Sequence, residues 1–258
     1  MKLNKKLLIV LGSVVAVAAI VAGSVVGTIA YMTAASKVSN VFTVGNVFIT
    51  LDESVVNDEG KIAGTGRTDR NSYHLMPGKS YDKDPRITVQ ADTESCYLFL
   101  VTRNQITDIE VKNDPTKKTM AEQMVENGWG IYKDTSAGSR VWIYCGNKGN
   151  VNEDKTYKTP VAVCGTDRAS AADGASVLAK TTIDIFSEFH ITTTESANLS
   201  IYAGAEVTIN AIGIQSDSFG TVGTSQAVDS AWAAVVNQYP YIQDNIPLPP
   251  ATDETEAA

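Results

Sequence analysis

The hydrophobic pattern divides the chain into a long apolar start and a much longer, mixed remainder. Residues 7–32 are almost entirely apolar and follow Lys2, Lys5 and Lys6, and no charged residue occurs after Lys6 until Lys37. A basic start followed by an apolar run is typical of an export signal, although this run exceeds the usual length of ~7–15 residues. Its length would also suit a membrane-spanning helix of ~20 residues.

The end of the apolar run fits a signal-peptidase site. Thr28, Ile29 and Ala30 precede Tyr31, and the enzyme accepts only a small side chain at the last position before the cut. We therefore predict cleavage between Ala30 and Tyr31, with residues 1–30 as the signal peptide. A retained membrane anchor is the alternative, and both readings of the leader stay open from the sequence.

Short β-prone runs fill most of the remaining chain. Residues 40–51 are rich in β-branched and aromatic side chains, which favour strands. Residues 97–101 are apolar without alternation, so we predict a central strand covered on both faces. Residues 207–215 give a long strand signal in which Gly213 indicates a bulge or a close approach of the backbone. Further strands are predicted at residues 86–89, 129–132, 141–144, 160–164, 176–186 and 199–202.

Polar segments and turn residues separate the predicted strands. Residues 52–71 are rich in Asp, Asn and Gly and predict an exposed loop. Pro77 and Gly78 predict a turn, because proline presets φ at the first corner and glycine accepts a positive φ at the second. Residues 244–258 are proline-rich and then acidic, which predicts a disordered tail.

Two short helices are expected among the strands. Residues 119–127 predict one helix, ended by the glycine that follows them. A second helix is expected to run to Val236 from a cap at Thr224 or Ser225, with Trp232 on the face that packs against the strands. Many short strands and only two short helices predict an all-β fold, an antiparallel two-sheet sandwich spanning residues 45–243.

The charge balance limits the classes of partner. The 258 residues include 21 basic and 29 acidic ones, and removal of the leader leaves 18 basic residues and a net charge of about −11. Nucleic-acid binding requires clustered Lys and Arg, which this sequence lacks. The acidic balance also argues against an anionic membrane surface for the mature domain, so we expect membrane contact only through an uncleaved leader.

Candidate chemistry is sparse. His74 and His190 are the two histidines, far apart and without the His-Glu-x-x-His spacing that holds zinc on a helix. No serine hydrolase elbow is complete, and no acidic loop has a recognised calcium spacing. We predict no catalytic residue, metal site or cofactor. Cys96, Cys145 and Cys164 are expected to be buried free thiols, with a Cys145–Cys164 bridge as the alternative.

Four blocks of sequence occur in order along the chain: GTIAYMT (residues 27–33), NVFTVGNVFITL (residues 40–51), LMPGKSYDKDP (residues 75–85) and VTINAIGIQSDSF (residues 207–219) followed by Ala231-Trp232. Together they resemble the TasA/camelysin family of exported Gram-positive proteins. The first block is similar to the site cut by a SipW-type signal peptidase, which the resemblance makes a partner of this chain. The segment from about residue 114 to 197 carries no such similarity.

The resemblance implies a jelly-roll-like sandwich and a structural function. It suggests a secreted subunit of extracellular matrix (biofilm) fibres, found outside the cell or at the cell surface, whose main partner is a further copy of itself. The freed segment of residues 31–44 would fill a gap in the sheet of the next subunit, with Val38, Val41, Phe42 and Val44 as the side chains that enter its pockets. Two alternatives stay open, a camelysin-like metalloprotease and a surface-anchored adhesin.

Overall fold

A computed structural model describes residues 33–135, 138–168, 176–193 and 199–242. Within these ranges the chain forms fourteen strands and two α-helices. The strands are β1 (Thr33–Val44), β2 (Ile49–Val56), β3 (Ile62–Thr68), β4 (Arg70–His74), β5 (Ser80–Asp82), β6 (Arg86–Val89), β7 (Cys96–Asn104), β8 (Trp129–Asp134), β9 (Arg140–Tyr144), β10 (Ala162–Cys164), β11 (Val177–Ala179), β12 (Thr182–Asp184), β13 (Glu188–His190) and β14 (Glu206–Gln215). The helices are α1 (Met120–Glu126) and α2 (Ser225–Gln238).

The described strands form one large sheet and two smaller ones. The large sheet has the order β11-β10-β7-β14-β1-β4, with β9 on β7 and β8 on β9. A second sheet has the order β12-β6-β2-β3, and β13 pairs with β5. The predicted mostly-β architecture with antiparallel sheets is confirmed at this level. Two pairs, β1 with β14 and β10 with β11, are parallel, so the fully antiparallel sandwich was wrong in this respect.

The large sheet is covered on both faces. In β7, Leu98 and Leu100 belong to the core that faces the second sheet, while Tyr97 and Phe99 belong to a separate core beneath α2. All four side chains have no exposed surface. The prediction of a central strand at residues 97–101 is confirmed, because alternate side chains of that strand enter two different apolar layers.

The second helix covers the large sheet as its sequence predicts. Thr224 caps it by accepting a hydrogen bond from the backbone N–H of Ala227 (3.3 Å). Trp232 lies over the sheet with its ring centroid 5.2 Å from that of Phe99. The first helix, α1, also begins as expected, with a capping box between Thr119 and Glu122.

The predicted loop at residues 52–71 was wrong, because this stretch contains most of β2, all of β3 and the start of β4. Strand β3 is mainly exposed, so it has no apolar alternation to reveal it. Its pairing is supported by a side chain instead. Arg67 donates to Asp52 (Nε to Oδ1, 2.6 Å) and to Asp84 (Nη1 to Oδ2, 2.8 Å), which ties β3 to its neighbours.

The predicted strand at residues 199–202 was also wrong, since Leu199–Tyr202 is a 3-10 helix. Leu199 is buried whereas Ile201 is 71% exposed. In a strand these two side chains would share a face, but in a 3-10 helix the residues that share a face are three apart. Leu199 and Tyr202 accordingly both contact the core. The single strand predicted at residues 176–186 is divided into β11 and β12, which belong to different sheets.

Candidate strand-exchange site

Strand β1 is the part of the molecule on which the predicted strand donation depends. It lies inside the large sheet of its own chain, between β14 and β4. Its backbone runs parallel to β14, with Ala35 opposite Glu206 and Val44 opposite Ile214. Its first half also pairs antiparallel with β4, with Lys37 opposite Arg70. The segment predicted to complete a neighbouring subunit therefore completes its own sheet in this structure.

The predicted donor side chains are not equivalent in β1. Phe42 is buried and packs in the core beneath α2, and Val44 is partly buried against the same core. Val41 is 36% exposed. The backbone of Val38 lies opposite Ile209, next to an irregularity in the register. The predicted cleavage residues Ala30 and Tyr31 lie outside the described residues.

The strands on either side of β1 are held by contacts that do not involve β1. Strand β14 pairs with β7 along all but its first residue, from Val207 opposite Asn104 to Gln215 opposite Cys96. Most of the residues of β14 are also buried. One side of the position occupied by β1 is therefore part of the central sheet.

Strand β4 is attached through its side chains to β2 of the second sheet and to β5. Asn71 accepts a hydrogen bond from the backbone N–H of Val56 (3.1 Å) and donates to the carbonyl oxygen of Ser54 (2.8 Å). Tyr73 donates its hydroxyl to the carbonyl oxygen of Asp82 (2.9 Å). Because these bonds hold β4 from its other side, both walls of a slot for β1 are anchored independently of β1.

Aromatic packing reinforces the β4 wall. The ring of Tyr73 lies 5.8 Å from that of Tyr81 and 5.2 Å from that of Phe189, in both cases near perpendicular. Tyr81 and Phe189 are stacked at 5.0 Å. Edge-to-face and stacked pairs of this kind contribute beyond their buried area. The cluster is predicted by no periodic pattern in the sequence, since its three members come from β4, β5 and β13.

The connection from β1 to β2 crosses from the large sheet to the second sheet. Gly45 begins it at φ +84°, a conformation that favours glycine, and its carbonyl oxygen accepts from the N–H of Val47 (2.9 Å). A Cβ at Gly45 would lie 2.5 Å from Oε1 of Gln215. The chain therefore turns sharply at the boundary between the predicted donor segment and the predicted domain.

The Lys83-Asp84-Pro85 motif lies in the segment between β5 and β6, beside β2 of the second sheet. Burial raises the pKa of Asp84, but hydrogen bonds from the N–H and hydroxyl of Ser54 and from Arg67 outweigh it and hold that pKa below its usual value. Lys83 forms an ion pair with Glu53 of β2, and neither side chain has any exposed surface. The sequence motif thus fixes the segment before β6 against β2.

The two histidines occupy different environments. His74 ends β4, whereas His190 is buried in β13, with Nδ1 2.7 Å from the hydroxyl of Ser80 and Nε2 3.5 Å from Oε1 of Glu188. Within the described residues, no group of three or more His, Cys, Asp and Glu side chains is arranged to hold a metal ion. Cys96, Cys145 and Cys164 are buried free thiols, so the alternative bridge between the last two is not formed. Burial raises the pKa of Cys145 to about 12.

A cleft of about 650 Å³, which the sequence did not predict, opens between α1 and the large sheet. Glu110 lies on it with both carboxylate oxygens occupied, one by the N–H of Met120 (2.9 Å) and one by the side chain of Asn104 (2.8 Å). Burial raises the pKa of Glu110, although these two hydrogen bonds act to lower it. The buried hydroxyl of Ser139 also lines the cleft. Polar residues scattered over distant segments gave no sequence signal for this feature.

Comparison of the chain with family models, with curated proteins and with solved structures finds no match in any of the three. Of the helices in the described ranges, neither is long and apolar enough to cross a membrane.

Proposed function

We propose that this chain is a secreted structural subunit of extracellular matrix fibres in a Gram-positive bacterium, and that it polymerises by exchanging β1 between subunits. The observation that carries the proposal is the position of β1, an N-terminal strand inserted between two strands that are anchored without it. The ordered sequence blocks that resemble the TasA/camelysin family support the same function.

The exchange follows from elementary sheet physics. Removal of β1 would leave the facing N–H and C=O groups of β14 and β4 without partners, and a β-prone segment from another chain can satisfy them. The β1 segment of another subunit has the same sequence and makes the same contacts in the slot between β14 and β4 as the chain's own β1. Exchange therefore changes the contact energy little. Because the donor segment and the slot are different surfaces, each subunit gives to one neighbour and receives from another. Such head-to-tail contacts build open filaments.

Export supplies a natural control over the exchange. While residues 1–30 remain attached, the start of β1 is tethered to the leader, and cleavage between Ala30 and Tyr31 by a SipW-type peptidase would free it. The net charge of about −11 keeps separate copies apart in solution before assembly. The jelly-roll-like arrangement belongs to this proposal, and the passage of the chain from the large sheet at β1 to the second sheet at β2 supports it.

Deletion of residues 31–44 tests the proposal. The shortened protein is expected to remain monomeric by electron microscopy and light scattering and to bind a synthetic peptide of residues 31–44, because its slot is empty. A peptide of the same composition in scrambled order is the matched control for binding. Deletion of residues 244–258 is the control for truncation, and this variant is expected to form fibres. Fibres formed by the protein without residues 31–44 would refute the assignment of the donor.

A further inference from the structure

The buried ion pair between Lys83 and Glu53 brings into contact the two side-chain groups that an amide bond would join. Nζ of Lys83 contacts Oε2 of Glu53. Among the salt bridges of the described residues, this pair is the one in which both side chains have no exposed surface. The two residues are 30 positions apart, on β2 and on the segment between β5 and β6.

The surroundings disfavour the charged form of the pair. The ring of Phe186, a member of the core that faces the second sheet, has its centroid 6.0 Å from the Lys83 nitrogen, and both Lys83 and Glu53 are buried. Taking two opposite charges out of water often costs more than their mutual attraction regains. Burial accordingly lowers the pKa of Lys83. Transfer of the proton within the pair would give a neutral amine beside a neutral carboxylic acid, the two groups that an amide bond joins.

We propose that Lys83 and Glu53 condense to an intramolecular isopeptide bond. The Lys83 nitrogen attacks the carboxyl carbon of Glu53, so that a C–N bond forms and one C–O bond breaks. The departing oxygen keeps the proton it received and takes a second from the nitrogen, and one water molecule leaves. The products are a neutral amide and water, and no oxidant, reductant or other co-reactant is consumed. Proton transfer and condensation together replace the buried ion pair with an uncharged amide.

The bond would have a clear structural consequence. It would join β2 covalently to the segment that leads into β6, in a domain whose three cysteines are free. A covalent cross-link restricts the conformations of the unfolded chain in the same way as a disulfide does. An isopeptide bond would therefore stabilise an extracellular protein that has no disulfide. The inference is independent of the proposed strand exchange, because β1 supplies neither reacting group.

Mass spectrometry of a tryptic digest of the full chain, made after complete denaturation, tests the inference. Trypsin does not cut after an amide-linked lysine, so residues 38–61 are expected to be joined to residues 80–86 in one branched peptide. Its mass is expected to be lower than the sum of the two peptides by one water, about 18 Da. Recovery of residues 38–61 as a free peptide of full mass from the wild-type protein would overturn the inference.

Variants and an internal control define the bond. Lys83→Arg and Glu53→Ala are each expected to abolish the branched peptide, and its persistence in Glu53→Ala would also overturn the assignment. The solvent-facing pair of Lys61 and Asp82, with Nζ and Oδ1 2.7 Å apart, serves as the control in the same digest. Lys61 is expected to be cut normally. The wild-type measurement decides the question even where a variant fails to fold.

Discussion

Tyr239, just beyond the end of α2, holds the end of β1 through Phe42. The two ring centroids lie 5.0 Å apart, and the Tyr239 hydroxyl donates to the carbonyl oxygen of Thr43 (3.2 Å). The residue that follows the C-terminal helix thus contacts the strand that the proposed exchange would release. Departure of β1 from its own sheet requires this contact to break.

Substitution Tyr239→Ala is expected to loosen β1. Loss of the ring pair and of the hydrogen bond removes about 1–2 kcal/mol, which corresponds to roughly tenfold more frequent opening. Hydrogen exchange of the backbone amides of residues 40–44 measures this directly. Tyr241→Ala is the matched control, because Tyr241 is 58% exposed. Equal exchange rates in the two variants would show that Tyr239 does not restrain the strand.

Substitution Phe42→Ala is expected to weaken the hold of β1 in any slot, its own or that of another copy. Phe42 is buried in the core beneath α2, and truncation of a buried phenylalanine costs about 3–5 kcal/mol. Val41→Ala is the control, with an expected loss below about 1 kcal/mol because that side chain is partly exposed. Urea unfolding measures the stability of each variant. Peptides of residues 31–44 with either change, titrated into the shortened protein, should show the same order.

Substitution Gly213→Ala is expected to destabilise the sandwich by overpacking. An added Cβ would lie 2.6 Å from Cγ1 of Val47 and 3.3 Å from Cδ1 of Ile49. Forcing an extra methyl group into a filled core typically costs about 1–3 kcal/mol. Gly66→Ala is the control on the exposed strand β3, where the nearest contact is Val55 at 3.3 Å. A thermal midpoint for Gly213→Ala equal to that of the control would contradict this account of the site.

Substitution Asp84→Asn is expected to reduce the decrease in the free energy of unfolding at acid pH. The pKa of Asp84 is lower in the folded chain than its ordinary value of 3.8. Its carboxylate therefore stabilises the fold above that value, and the contribution is lost as pH falls through the folded pKa. Urea midpoints of the wild type should fall over this acid range, and those of Asp84→Asn should fall less. Asp69→Asn, at an exposed position, is the control for the substitution itself.

Strong local signals in the sequence predicted their elements correctly. The unbroken apolar run at residues 97–101 predicted a strand buried on both faces, and the structure places it at the centre of the large sheet. Thr119 and Thr224 cap the two helices near their predicted starts. A hydroxyl just before a helix accepts a hydrogen bond from a free backbone N–H of the first turn, so this signal can be recognised in the local sequence. Gly213 lies where the side chain of Val47 approaches the backbone of β14 closely, as a single glycine in a β-prone run indicated.

Elements whose stability comes from distant partners were missed. Strand β3 is polar and exposed, and Arg67 holds it through carboxylates on two other segments. The parallel pairing of β1 with β14 joins residues about 170 positions apart, and neither segment alone encodes the direction of the pairing. The Tyr73–Tyr81–Phe189 cluster and the cleft at Glu110 are likewise assembled from separate parts of the chain. Local patterns cannot specify such contacts.

Disulfide trapping across the β1–β14 pair tests the central claim most directly. Lys37 and Thr208 are opposite in register, and neighbouring strands lie about 4.8 Å apart, within the span that a disulfide bridges. One protein with Lys37→Cys is mixed with another with Thr208→Cys, assembled and oxidised, and neither protein can form this bond within itself. We predict disulfide-linked dimers in the fibres of the mixture and none when either protein is assembled alone. A third protein carries both substitutions and can form the bond within one chain. Strand exchange would be contradicted if the bond closed inside this protein while the fibres of the mixture contained no linked dimers.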